Sequence, residues 1–229
     1  IRSKKRLSWS RICAAFPPPG AFRSDPFRWI EMKSIRVPFP FCLFLLLPLV
    51  LRELDRPFAF FGHSLGGLVA HAMCVRLRAE AKPLPARLFV SSVPAPTFGH
   101  SEGPQDAVGG ADGMSVHAPL SPLEDDAFVR EAFARGWFPK QAMENAELRA
   151  IVLPTLRADM AVYDSYRAEC ATAESKSSII DDIVVIEAFG GGDDVSVPPE
   201  ALSSWKPVHT HIISGAGHFH TETHTDVLL

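Results

Sequence analysis

Short apolar runs bounded by glycine or proline recur along this chain: Pro57 to Gly62, Ala86 to Ser92, Ile183 to Ala188 and His209 to Ile213. Runs of this length without strict alternation suit strands buried on both faces, as in a parallel sheet. Between them the period lengthens, and Leu65 to Ala81 reads as a helix. Ser121-Pro122-Leu123-Glu124 has the form of a capping box with proline at the first helical position, which predicts a helix from about Pro122 to Arg135. A further helical stretch spans Asn145 to Glu169, with a break expected near Pro154. Arg11 to Phe16 reads as an early strand entering the loop Pro17-Pro18-Pro19-Gly20. Residues 99–117, rich in Gly, Ser and His, read as a mobile loop. This order predicts an α/β protein with a mostly parallel, doubly wound sheet. A helical insertion, at about residues 99–172, is expected between its sixth and seventh strands.

Val37 to Leu51 breaks the pattern, being apolar throughout. Its fifteen residues fall short of the ~20 that span a bilayer. Pro38, Pro40 and Pro48 interrupt it, so a buried segment is expected rather than a signal anchor. The remaining composition is ordinary. The chain has 229 residues, 47% of them hydrophobic and 21% charged, which suits a single domain over 1–229 with a sizeable core. A net charge of −3 gives no reason to expect nucleic acid as a partner. Four dispersed cysteines, Cys13, Cys42, Cys74 and Cys170, fit reduced thiols in a cytoplasmic protein better than a disulfide framework. Beginning at Ile1 rather than Met, the chain is expected to be a fragment. Its basic first 24 residues read as a surface end of the domain, with a transit-peptide remnant as the alternative.

The chemistry concentrates at Gly62-His63-Ser64-Leu65-Gly66, a G-x-S-x-G box between the first well-defined strand and the helix after it. In that context the motif is a nucleophile elbow: a tight turn pushes the Ser64 hydroxyl out at its tip. The free N–H groups of the following helix then face a developing oxyanion. Such serines work with an acid and a histidine that follow in that chain order. Past strand 183–188, Asp193 and Asp194 compete for the acid. His209, His211, His218, His220 and His224 compete for the base. His209 and His211 alternate on a predicted strand, whereas His218 follows the small-residue loop Gly215-Ala216-Gly217. No H-E-x-x-H pattern or second ligand cluster points to a metal, and no cofactor is expected.

Pro57 to Gly67 resembles the "PFALFGHSMGA" elbow of the thioesterases serving polyketide, nonribosomal-peptide and fatty-acid synthases, above all their free-standing type II members. Leu88-Phe89-Val90-Ser91-Ser92-Val93-Pro94-Ala95-Pro96 is similar to the strand that follows it in that family. Leu153-Pro154-Thr155-Leu156-Arg157-Ala158-Asp159-Met160, with Tyr163 and Tyr166-Arg167, resembles the family's "LPxLRADF…YR" lid helix. Ala188 to Asp194 and Gly215-Ala216-Gly217-His218-Phe219 complete the matches. The resemblance covers most of residues 57–220 and is weak before Arg56. It implies an α/β-hydrolase fold and hydrolysis of acyl thioesters on carrier-protein phosphopantetheine. The implied partner is an acyl or peptidyl carrier protein of a synthase, with the enzyme acting as a monomer.

Residue by residue, the family's G-x-x-D-x-x-V pattern implies Asp194, with Val197 at the expected offset and Asp193 as the alternative. The "GGHF" tail implies His218, while His63 inside the box is more simply structural. The oxyanion donors would be the N–H of Leu65 and one from the early loop, where the family reads like "FPxAGG". In Phe16-Pro17-Pro18-Pro19-Gly20-Ala21 both expected donor positions are prolines, which have no N–H. Either Gly20 or Ala21 substitutes, or this copy is weakened, since one lost donor costs ~100- to 1000-fold in rate. The family's "QLPGRExR" stretch and the amphipathic helix after it are not visible before Arg56, a local loss that a frameshift or mis-splicing would produce. On the lid helix, Leu156, Met160, Tyr163 and Tyr166 share one apolar face. Met160 and Tyr163 are candidate substrate contacts roofing an acyl channel, or that face is simply core. Two further functions compete: a small-molecule carboxylesterase of the same fold, and a non-catalytic remnant used in binding.

Overall fold

The computed structural model describes residues 28–31, 39–98, 118–170, 180, 183–206 and 208–224. Five strands form one parallel sheet in chain order: β1 (Arg28–Glu31), β2 (Phe58–His63), β3 (Arg87–Ser91), β4 (Val185–Gly191) and β5 (Val208–Ile213). The apolar runs become strands because both sheet faces are covered. Phe58, Phe60, Leu88, Val90, Ile186 and Ala188 point into one cluster, and Ala59, Phe89, Phe189 and Ile213 into another on the opposite face. Helix α1 (Phe39–Leu51) precedes β2 and α2 (Leu65–Ala79) follows it directly. Between β3 and β4 lie α3 (Asp125–Ala134), α4 (Lys140–Glu144) and α5 (Ala146–Cys170). Two short helices complete the described elements, α6 (Pro199–Leu202) and α7 (His220–Thr223).

Several expectations are corrected. Among the described residues the helical segment follows the third strand, with residues 1–27 and 32–38 outside the count. Expected strand 11–16, loop 17–20 and loop 99–117 lie outside the described residues, whereas β1 was not anticipated. The apolar run before Arg56 is a helix. Leu43, Leu46, Leu47, Val50 and Leu51 pack on the core, while Phe44 (69% exposed) and Leu49 (56%) face outward. With every position apolar, no polar face betrays the helical period. Among the described residues no helix is long and apolar enough to cross a membrane.

Pro154 does not break α5, which runs 25 residues through it. Proline removes one helical hydrogen bond, but packing flanks it on both sides. Val152, Leu153 and Leu156 join the cluster of Leu120, Phe128, Ala132, Phe138 and Met160, while Val162 and Tyr166 join the sheet's main core. Thr155 Oγ also donates to the carbonyl of Ile151 at 3.1 Å. The expected capping box fails for a different reason. The N–H of Ser121 donates to Asp164 at 2.9 Å, and Arg157 Nη2 donates to the Leu123 carbonyl at 2.5 Å. Residues 121–124 are thereby drawn onto α5, and α3 starts only at Asp125. The real side-chain cap belongs to Asn145, whose Oδ1 accepts from the N–H groups of Glu147 (2.9 Å) and Leu148 (3.0 Å).

One buried polar pair joins α2 to α5. His71, 4% exposed, shares a 2.7 Å hydrogen bond with the Tyr166 hydroxyl, and the Trp205 ring centroid lies 5.3 Å away. Burial pushes this imidazole down from 6.5 to about 4. The unfolded chain therefore binds a proton that the folded chain refuses, and the stabilisation, complete above pH 6.5, is lost as the pH falls toward 4. At pH 5 the loss is roughly 2 kcal/mol. His71→Phe removes this component, so urea unfolding compared at pH 7 and pH 5 should show a flatter dependence in the variant. An unchanged dependence would contradict the assignment.

Candidate active site

Between β2 and α2 only Ser64 intervenes, at φ 52° and ψ −125°. Positive φ is costly for a residue with a side chain, and the surroundings enforce it. The N–H of Ser64 donates to the Ser91 carbonyl at 2.7 Å, and the N–H of Gly67 donates to the Ser64 carbonyl at 2.9 Å. A Cβ at Gly62 would sit 2.2 Å from the Gly66 carbonyl oxygen, so this strand end admits only glycine. The N–H of Leu65 lies in the first turn of α2, where helix geometry supplies no intrahelical acceptor.

Two loops at the ends of neighbouring strands meet beside the serine. The N–H of Gly192 donates to the Ile213 carbonyl (2.8 Å) and that of Asp193 to the Ala216 carbonyl (2.9 Å). A Cβ on Gly191 would lie 2.0 Å from the Ala216 carbonyl oxygen. The glycine run at the end of β4 thus permits an approach that brings Asp194 and His218 together. His218 Nδ1 lies 2.9 Å from Asp194 Oδ2 and Nε2 lies 3.1 Å from Ser64 Oγ. Asp193 is exposed, whereas Asp194 is 4% exposed. The other Asp194 oxygen accepts the N–H of Ser196 (3.0 Å), its hydroxyl (2.6 Å) and the N–H of Val197 (3.1 Å). Burial works to raise the pKa of this carboxyl, but the hydrogen bond and charge of His218, with the two hydrogen bonds from Ser196, outweigh it and the net direction is down. The carboxylate therefore stays ionised against a histidine, able to hold its Nδ1 proton.

The rival histidines go elsewhere. His209 Nδ1 and His211 Nε2 lie 3.2 and 2.8 Å from the Glu187 carboxylate, which also pairs with Arg87 at 2.5 Å. His224 shares a 2.9 Å bond with Thr223. His63 Nδ1 and His220 Nε2 both meet the Ser91 hydroxyl at 3.0 Å. Burial, reinforced by the charge of His218, lowers His63 to about 3 and His220 to about 4. Both are neutral rings behind His218. Ser91, Ser196 and Trp137 were not anticipated as parts of this site. The spacing Asp194-x-Ser196 was a usable signal for a side chain folding back on the acid, but nothing local marked Trp137. Of the expected substrate contacts, Met160 is 6% exposed and packs within the second cluster, while Tyr163 is half-buried with its ring centroid 6.5 Å from Trp137. Gly20 lies outside the described residues. Among the described residues no group of three or more His, Cys, Asp or Glu is placed to hold a metal.

A serine on a strained strand–helix elbow, with the acid and then the histidine at the ends of later parallel strands, defines the α/β-hydrolase class. The thioesterase domain family matches residues 45–226, and the chain belongs to that family. It is 31% identical over 156 residues to the gramicidin S biosynthesis protein GrsT of Aneurinibacillus migulanus, covering 66% of this chain and 50% of that one. It is 28% identical over 158 residues to the medium-chain S-acyl fatty acid synthase thioesterase of Homo sapiens, covering 67% and 50%. The chain thus spans about half the length of these two relatives. In fold it is similar to ClbQ of the colibactin NRPS/PKS pathway, with a TM-score of 0.63 at 22% identity over 85% of this chain and 74% of that one. The type II thioesterase YbtT of the yersiniabactin pathway gives a TM-score of 0.56 at 25% identity, over 80% and 69%.

The geometry separates the two acids. Asp194→Asn should slow phosphonylation of Ser64 by a fluorophosphonate by at least roughly 100-fold, because the amide favours the wrong imidazole tautomer. Asp193→Asn should stay within about twofold, as expected of an exposed surface substitution. Equal losses would overturn this choice of acid.

Proposed function

We propose that the chain hydrolyses acyl thioesters carried on the phosphopantetheine arm of a synthase carrier protein, with Ser64 as nucleophile. The observation that carries this reading is the hydrogen-bonded series Ser64–His218–Asp194 on the elbow, in a chain of the thioesterase family. His218 Nε2 takes the Ser64 proton as Oγ attacks the thioester carbonyl, and Asp194 stabilises the imidazolium. The N–H of Leu65 donates to the resulting oxyanion; the second donor, expected from Gly20 or Ala21, lies outside the described residues. Collapse expels the pantetheine thiolate, which His218 protonates. Water, deprotonated by the same ring, then attacks the acyl-serine and releases the acid. No cofactor enters the scheme, and the reading places the enzyme in the cytoplasm as a monomer.

The relatives support the substrate class, since one is named for gramicidin S biosynthesis and another as an S-acyl fatty acid synthase thioesterase. In this reading Tyr163, beside Trp137, keeps its expected place on the acyl path. The 6% exposure of Met160 supports a packing role instead.

Turnover is tested with acyl-pantetheine, acyl-carrier protein and p-nitrophenyl acyl ester. The carrier-bound thioester should be cleaved fastest, and Ser64→Ala should retain under a tenth of the parent rate. A faster reaction with the simple ester points to a carboxylesterase, and no turnover at all to a binding remnant. Met160→Trp should lower the melting temperature and slow short and long acyl thioesters alike, because overpacking a filled core is disruptive by ~1–3 kcal/mol. A loss confined to long chains would return Met160 to the acyl channel.

A further inference from the structure

One contact links the helical segment between β3 and β4 to the acid–histidine pair. Trp137 lies in the turn after α3, and its indole Nε1–H donates to Ser196 Oγ at 2.9 Å. Ser196, 3% exposed, is the residue whose hydroxyl donates to Asp194 Oδ1 at 2.6 Å. The same Oγ lies 3.2 Å from His218 Nδ1, and the Trp137 ring centroid lies 6.0 Å from that of His218. The turn is held firmly. Gly136 has φ +74°, the N–H groups of Trp137 and Phe138 donate to the Ala132 carbonyl at 2.9 and 3.2 Å, and Phe138 is buried in the second cluster. The Arg135 guanidinium lies 5.4 Å from the Trp137 ring centroid, with Glu131 and the Ala118 carbonyl as its partners. The indole is thus presented from a packed element of its own.

Donor accounting gives the contact a consequence. An indole N–H can only donate, and an ionised carboxylate can only accept. Ser196 Oγ therefore accepts from Trp137 and directs its single proton to Asp194. Without the indole, the hydroxyl can turn that proton toward His218 Nδ1, 3.2 Å away. That arrangement favours the tautomer with its proton on Nε2, which has no lone pair for the Ser64 proton.

Resting on the serine-hydrolase reading above, we propose that Trp137 is a positioning residue. Through Ser196 it holds the Asp194–His218 pair in the tautomer that activates Ser64.

The test is the rate of Ser64 phosphonylation by a fluorophosphonate, which needs no thioester and separates the chemical step from reagent binding. Trp137→Phe keeps the ring and loses the N–H. It should lower the maximal labelling rate about tenfold, on the scale of one hydrogen bond, with half-saturation unchanged. Ser196→Ala should lose a similar factor, because Asp194 loses the hydroxyl's hydrogen bond, and Ser196→Thr, which keeps it, should stay near the parent. The double variant Trp137→Phe/Ser196→Ala should be no slower than Ser196→Ala alone, since the indole then has nothing to act through. Losses that multiply to about 100-fold, or a change confined to half-saturation, would make Trp137 a packing neighbour only and overturn the proposal. Should Trp137→Phe fail to fold, the Ser196 pair decides: Thr near parent with Ala slowed supports it, and equal rates overturn it. A parent that labels normally but cleaves no thioester sinks the substrate reading alone. A parent that does not label sinks both.

Discussion

The molecule is organised around one strained residue. Ser64 is held at φ 52° against a backbone preference worth about 1–3 kcal/mol. The strain persists because the surroundings over-determine it: the hydrogen bond to Ser91, the contact of Gly62 with the Gly66 carbonyl, and α2 anchored by Leu68, Val69, Met73 and Leu77, all fully buried. If α2 moved off the sheet, the serine would have no reason to stand out from the turn. The scaffold's packing and the site's geometry are thus one constraint.

Around that point the polar groups divide by charge. Asp194 is buried with four hydrogen bonds, from the Ser196 and Val197 N–H groups, the Ser196 hydroxyl and His218. His63 and His220 flank His218 as neutral rings sharing the Ser91 hydroxyl. A second cationic ring there would repel the imidazolium that the proposed mechanism forms, and burial keeps both rings uncharged. In this reading His63 and His220 support His218 rather than duplicate its chemistry. His218 joins the acid to the serine, while the other two rings meet at Ser91.

Much of this was legible in the residues, and the reasons differ by element. Strands β2 and β3 were readable because parallel strands covered on both faces leave unbroken apolar runs. The elbow was readable because its steric demand falls on glycines at fixed spacing. Helix α1 was not, since a segment apolar on every side carries no amphipathic period and three prolines argue against it. The unbroken course of α5 through Pro154 was equally hidden, because packing against two cores outweighs a local breaker. The failed capping box has the same origin: Arg157, more than thirty residues away in sequence, claims the Leu123 carbonyl. Trp137 illustrates the limit most clearly. Its place beside Ser196 comes from the fold of another segment, and no spacing along the chain encodes it.

The central claim is that Ser64 carries the acyl group between thioester cleavage and hydrolysis. Its most direct test is peptide mass spectrometry of the protein quenched in acid within the first turnovers on an acyl-pantetheine thioester. The account predicts an acyl adduct on the peptide containing Ser64 that forms with thiol release and disappears as free acid accumulates. Thiol release with no adduct on that peptide, or an adduct only on another residue, would contradict it.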